Sequence, residues 1–260
     1  MINGSFTTPA WAQQMTLRRL RYRTLLGVLL TSILILFSQS LAQAAPGDEN
    51  WDDRFFLPGL SGTVATLVID SSGNLYAGGG FIMADGVTVN YIAKWDGSAW
   101  SALGVGMNNT VYALAVDSNG NLYAGGDFTS AGGVSANRIA KWDGNTWSAL
   151  GTGMDDRVYA LVVDSSDNLY AGGTFTTGIA KWDGSVWSIL GLDPSSYTYT
   201  LAIDSSDNLY AGGRFFTNTG VSAVAKWNGS SWSIISGLNG VYALTVDSSD
   251  NLCAAGDSIV

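Results

Sequence analysis

Two kinds of side chain in this sequence have the types and spacing for chemistry, and the first is the carboxylate. Asp70, Asp117, Asp164, Asp204 and Asp247 recur at spacings of 47, 47, 40 and 43, and the last three carry a second acid at Asp167, Asp207 and Asp250. Two carboxylates at a suitable separation are what glycoside hydrolysis needs, and the run DSNGN from Asp117 to Asn121 has the opening of a calcium loop. The downstream bidentate Glu that completes such a loop is missing. Gly73 and Gly120 also stand in the column of Asp167, Asp207 and Asp250, and Gly or Asp followed by Asn is what a tight turn selects. These acids therefore read as turn residues, with no metal and no cofactor expected. The chain has no histidine, so a Ser-His-Asp triad and a histidine-ligated metal centre are ruled out and acid–base work would fall to carboxylates. A catalytic pair should break the repeat, whereas these acids keep its register. The expectation is that the chain is not an enzyme, the alternative being a carbohydrate-active enzyme that uses carboxylates.

The second kind is tryptophan, in the pairs Trp95 and Trp100, Trp142 and Trp147, Trp182 and Trp187, Trp227 and Trp232. Each pair flanks a turn of the form WDGxxW, or WNGSSW in the last copy, which places two indoles on adjacent strands. Rows of exposed indoles stack on sugar rings. A spacing kept in every full copy is what packing demands, and large aromatics fill the gap between twisted sheets. Packing is the reading carried forward.

Both sets ride on one repeated unit. The copy from Val111 to Met154 divides into VYALAVD, NLYAGGDF, RIAKW and TWSAL, joined by turn chemistry such as SNGN and the doublet Asp143-Gly144. Four strand-like runs per repeat make one blade, so the fold class is all-β, a β-propeller of four-stranded antiparallel blades. Repeats start near Val64, Val111, Val158, Thr198 and Val241, and the fifth reaches only two strands before Val260. The segment Trp51 to Leu60 resembles a worn strand 3 to strand 4 hairpin. Pairing it with Val241 to Asp257 would close five blades, one stitched from both ends of the chain, and remove exposed strand edges. A truncated piece of a larger propeller is the rival reading.

Residues 1–44 read as a signal peptide and 45–260 as the propeller. Arg18, Arg19, Arg21 and Arg23 precede an apolar run from Leu25 to Phe37, and Ala42-Gln43-Ala44 is a small-x-small cleavage pattern. The run is short for a bilayer span, which takes roughly 20 residues, so secretion or residence in the periplasm or cell envelope is expected, without stable membrane insertion after cleavage. All 21 acidic residues but only eight of the twelve basic ones follow Ala44, a net −13 for the exported chain. That sign repels phosphate backbones and anionic lipid, so no nucleic-acid partner is expected. Cys253 is the single cysteine, which excludes an intrachain disulfide framework; it stands in the column of Tyr76, Tyr123, Tyr170 and Tyr210, where a buried small hydrophobe is expected. The chain reads as a monomer.

Loop sequences separate the two ends of the blades. Turns between strands 1 and 2 and between strands 3 and 4 are nearly uniform, whereas those between 2 and 3 and between 4 and 1 vary in length and chemistry. Recognition loops on rigid scaffolds vary in this way, although drift also produces variation. The candidate ligand-binding residues on the variable end are Arg138, Met154, Asp155, Asp156, Arg157, Asp193, Tyr197 and Tyr199, which combine aromatic, acidic and basic groups. A protein or a glycan is the expected partner; a structural envelope or adhesion fragment is a further alternative.

The order of a glycine doublet, an apolar strand, an aromatic followed by Asp, a short turn and a Trp resembles the kelch repeat. The phrase GGDFTSAGGVSANRIAKWDGNTWSALG is similar to repeats of secreted kelch-like propellers, including the fungal cortical cell-polarity marker family. The likeness covers the chain from Trp51 onward. It departs where kelch repeats usually carry Tyr in place of Trp142 and a longer strand 3 to strand 4 turn. The resemblance implies a propeller scaffold used mainly for interaction; enzymes of that fold bring metal-ligating residues that this chain does not show.

Overall fold

The glycine doublets and the alternating apolar runs place every element of this all-β chain. A computed structural model describes residues 59–191, 197–217, 220–235 and 240–257, all within a compact unit spanning Leu57–Val260. The signal segment, most of the proposed closing segment and Asp193 lie outside the described residues. The first blade contains β1 (Thr63–Ile69), β2 (Leu75–Gly80), β5 (Ile92–Trp95) and β6 (Trp100–Ala102), with a small hairpin of β3 (Met83–Ala84) and β4 (Val87–Thr88) between its second and third strands. The second contains β7 (Val111–Val116), β8 (Leu122–Gly126), β11 (Ile139–Trp142) and β12 (Trp147–Ala149), with the hairpin β9 (Ser130–Ala131) and β10 (Val134–Ser135). The third contains β13 (Val158–Val163), β14 (Leu169–Gly173), β15 (Ile179–Trp182) and β16 (Trp187–Ile189). The fourth contains β17 (Tyr197–Ile203), β18 (Leu209–Thr217), β19 (Gly220–Trp227) and β20 (Trp232–Ile235), and a last sheet pairs β21 (Gly240–Val246) with β22 (Leu252–Asp257).

Successive blades lock together through the doublets. A methyl group added at Gly125 would lie 2.5 Å from Val158 Cγ1, and one at Gly172 would lie 2.5 Å from Thr198 Cγ2, so the absent side chain is the space the next blade's inner strand fills. Phe81, Phe128, Phe175 and Phe215, each following a doublet, are fully buried. The tryptophan pairs act as packing: Trp142 and Trp147 face each other across the strand pair with ring centroids 5.4 Å apart. The second indole of a pair reaches the blade before it. Trp147, Trp187 and Trp232 donate their indole N–H to the carbonyls of Leu103, Leu150 and Leu190 at 2.8, 2.8 and 2.9 Å.

The recurrent acids are structural, and they do two different jobs. The first Asp of each turn caps it: Asp117 Oδ1 accepts the amides of Asn119 and Asn121, and its Oδ2 accepts Asn121 Nδ2 at 2.6 Å and the Tyr123 hydroxyl at 3.1 Å. The Lys141 ammonium stands 5.6 Å from the centre of the Tyr123 ring, completing a small polar knot that the other full blades repeat. Burial first, then the bond to Asp70, pushes the Tyr76 hydroxyl up to about 12, and burial raises the Tyr123 and Tyr170 hydroxyls in the same way. The second Asp crosses to the neighbouring blade. Asp167 accepts the amide and hydroxyl of Ser118 at 2.9 and 2.7 Å, Asp207 accepts those of Ser165, and Asp250 those of Ser205 at 3.0 and 2.5 Å. These three acids hold φ of 60 to 63°, in the column where Gly73 and Gly120 stand. A left-handed backbone disfavours a side chain, and the interblade bonds give the reason one is present.

The two ends of the described array differ from its middle. Leu67 and Ile69 on β1 are 57% and 65% exposed, whereas Leu114, in the equivalent position of the second blade, is buried. Cys253 is exposed rather than buried as its column suggested. The reason is the same at both ends: among the described residues no blade packs against the outer side of the first sheet or beyond the last.

Candidate functional site

Each inner strand contains a register shift near its start, between Val111 and Ala113 in β7, Val158 and Ala160 in β13, Thr198 and Thr200 in β17, and Val241 and Ala243 in β21. The extra residue is a tyrosine in all four: Tyr112, Tyr159, Tyr199 and Tyr242. A bulge re-aims the side chain it carries, and here the rings meet in one row, with centroids 5.2 Å apart for Tyr112 and Tyr159, 6.1 Å for Tyr159 and Tyr199, and 5.5 Å for Tyr199 and Tyr242. Tyr197 stacks on Tyr199 with its plane 12° away. Three of these rings line a concavity of about 150 Å³ where the inner strands come together, with Thr66 and Thr200 beside them. In the first blade the shift lies between Val64 and Thr66, and the extra residue is Ala65.

Beside this row sits a charged group that does not repeat. The residue after each doublet, or after Ala255-Gly256 in the last sheet, is Gly80, Asp127, Thr174, Arg214 or Asp257, and the residue before Val64, Val111, Val158, Thr198 or Val241 is Thr63, Thr110, Arg157, Tyr197 or Gly240. Asp127 Oδ2 lies 3.3 Å from Arg157 Nε, and its Oδ1 lies 3.6 Å from Arg138 Nε. The pKa of the Arg157 guanidinium is raised, first by its hydrogen bond with Tyr159 and then by Asp127. The acid, two arginines and the tyrosine row are thereby joined at one end of the inner strands.

The expected site residues divide between this group and other places in the fold. Arg138, Arg157, Tyr197 and Tyr199 belong to this group. Arg138 is half-buried at φ 64°, its amide bonded to the Phe128 carbonyl at 2.8 Å. Asp155 and Asp156 are exposed. Asp155 accepts the amide and hydroxyl of Thr176, bonds that lower its carboxyl pKa, so it ties a loop to the next blade. Met154 is 9% exposed and packs in the core with Leu150 and Phe175, its amide bonded to the Asn137 carbonyl at 3.0 Å, so its side chain is no surface anchor. Asp193 lies outside the described residues. Sequence reasoning missed Asp127, Tyr112, Tyr159 and Tyr242. The signal for the tyrosines was a column of identical residues broken at Ala65, and for Asp127 a column that changes in every copy.

Blades of this kind with an inner-strand concavity define a β-propeller repeat protein. A family model described as the two component regulator propeller matches residues 106–128. No curated protein matches the sequence. Solved structures of similar fold include selenomethionine-substituted virginiamycin B lyase from Staphylococcus aureus, with a TM-score of 0.54 at 14% identity over 75% of this chain and 65% of that one. A catalytically inactive variant of that lyase, with one histidine replaced by alanine and quinupristin present, gives a TM-score of 0.50 at 13% identity over 72% of this chain and 61% of that one. This chain thus spans less than two-thirds of the length of either enzyme. At such identities the likeness shows the fold. It also corrects the expectation that the chain is not an enzyme: solved structures that share its fold include those of a lyase, so a propeller is no argument against catalysis. The present chain contains no histidine, so it has no counterpart of the histidine replaced in that variant. Among the described residues no helix is long and apolar enough to cross a membrane.

Proposed function

We propose that this protein is exported and binds a protein or glycan ligand at the variable-loop end of its propeller. The observation that carries the reading is the non-repeating group of Asp127, Arg138 and Arg157 set beside the tyrosine row. A scaffold repeated for stability alone has no need to vary these columns, and Arg and Tyr are the usual anchors of binding surfaces. Export rests on the arginine-flanked apolar run and the Ala42-Gln43-Ala44 pattern. The resemblance to kelch-like secreted propellers, a group used mainly for interaction, supports the same conclusion.

The test is a glycan array and a protein pull-down with the purified chain, followed by substitution. Arg157→Ala and Asp127→Ala are expected to weaken the captured ligand at least tenfold with little change in melting temperature. Asn145→Ala, in an exposed turn at the opposite end, is the control expected to leave binding intact. Loss of binding in the control alone would place recognition on the uniform end. Asn145 is chosen over the serines of the other turns at that end because Ser118 and Ser165 bond to the neighbouring blade.

A further inference from the structure

The tyrosine row stops where the first blade supplies Ala65, and this is the one break in its column. Tyr112 therefore ends the ladder on the side of the first blade: among the described residues its ring contact is with Tyr159, and Thr66, the residue after Ala65, lines the same concavity as Tyr112. In the other inner strands that space would hold a ring. We infer that this gap is a ligand subsite, and that it takes a neutral sugar ring stacked on Tyr112. The inference rests on the reading that this end of the propeller binds ligand.

The chemistry of the lining selects the ligand class. A pyranose has an apolar face of C–H groups and a rim of hydroxyls, so it needs an aromatic plane with hydroxyl or backbone partners around it. The tyrosine rings supply the plane, and the hydroxyls of Thr66, Thr200, Tyr112 and Tyr159 supply the partners. No acid or base lines the concavity, while the exported chain is strongly acidic, which disfavours anionic glycans. The rings are 5 to 6 Å apart and tilted against one another by 47° and 57°, so within the row each covers part of its neighbour; beside Tyr112 the column supplies Ala65 instead of a ring, which is why the subsite belongs there and not along the row.

Ala65→Tyr is the deciding variant. It installs the residue that four other blades carry at the same bulge, so the fold accommodates it, and it fills the gap. With neutral cello-, manno-, xylo- and chito-hexaose as probes in calorimetry on the purified full chain, at least one is expected to bind. Ala65→Tyr is expected to abolish that binding with an unchanged melting temperature. Tyr112→Ala is expected to weaken it more than tenfold, and Tyr112→Phe by a few fold, since stacking is kept and one hydroxyl lost. Binding that survives Ala65→Tyr overturns the subsite. So does the absence of binding to every probe, or capture of aromatic peptides that Ala65→Tyr blocks. If Arg157→Ala abolishes capture of a ligand while Ala65→Tyr leaves it intact, the binding end stands and the sugar subsite alone falls.

Discussion

Replacing Trp147 separates the two roles that a conspicuous tryptophan can have. The residue is 5% exposed, lies over Gly132, whose added methyl would come within 2.8 Å of its Cδ1, and donates its N–H to the Leu103 carbonyl of the preceding blade at 2.8 Å. Truncating a buried Trp to Ala costs about 3–5 kcal/mol. The unpaired Leu103 carbonyl is isolated by Trp147→Phe, which keeps most of the ring and costs about 1–2 kcal/mol for the lost bond and the smaller fill. In a domain of this size about 1 kcal/mol corresponds to about 2–4 °C, so Trp147→Ala should lower the melting temperature by about 10 °C and Trp147→Phe by about 3–5 °C. Calorimetry with circular dichroism at two wavelengths reads both. Because neighbouring blades stabilise one another, the loss should appear as one cooperative shift. If Trp147→Ala melts within 2 °C of the parent and instead loses glycan capture, the indole is a ligand platform and the packing argument fails.

Further outcomes follow from the same geometry. Gly120→Asp should raise the melting temperature, since it adds to the second blade the acid that Asp167 supplies to the third and faces Ser71 as Asp167 faces Ser118; a drop would show that the bonds do not offset the left-handed backbone. Gly125→Ala should destabilise by about 1–3 kcal/mol in chemical denaturation, because its methyl would overlap the fully buried Val158; a neutral result would mean the blades can separate without cost. The Asp207 carboxyl is held below its usual value of 3.8, first by the Ser165 hydroxyl and then by the Ser165 amide. With a lowered folded pKa, its contribution is present above pH 3.8 and lost as the pH falls through the folded value, so Asp207→Asn should flatten the acid limb of a stability-against-pH curve. An unchanged acid limb would remove Asp207 from that balance. Mass spectrometry of exported protein should find Ala45 at the N-terminus, and an intact Leu25 to Phe37 segment in a membrane fraction would refute cleavage.

The sequence by itself determined the blade. Period, alternation, glycine doublets and Asp-Gly turns are local signals, and a strand that pairs with its own chain neighbours obeys local rules, so the four-stranded sheets were legible without coordinates. Trp142 and Trp147 could be assigned to packing for the same reason, because a property kept in every copy belongs to what every copy shares. Tertiary structure decided what passes between copies. That Asp167 bonds to Ser118 rather than only capping its own turn depends on how one blade is rotated against the next, which no single repeat contains. That Met154 packs into the core with Leu150 and Phe175 is a contact that loop length and polarity do not reveal. Tyr112, Tyr159, Tyr199 and Tyr242 looked like ordinary alternation residues until the bulges were seen; a one-residue shift in register turns a side chain from one face of a sheet to the other, and that shift is set by the inner strand's fit against its neighbours. Ala65 acquires meaning only then, because a gap exists only relative to the rings that surround it.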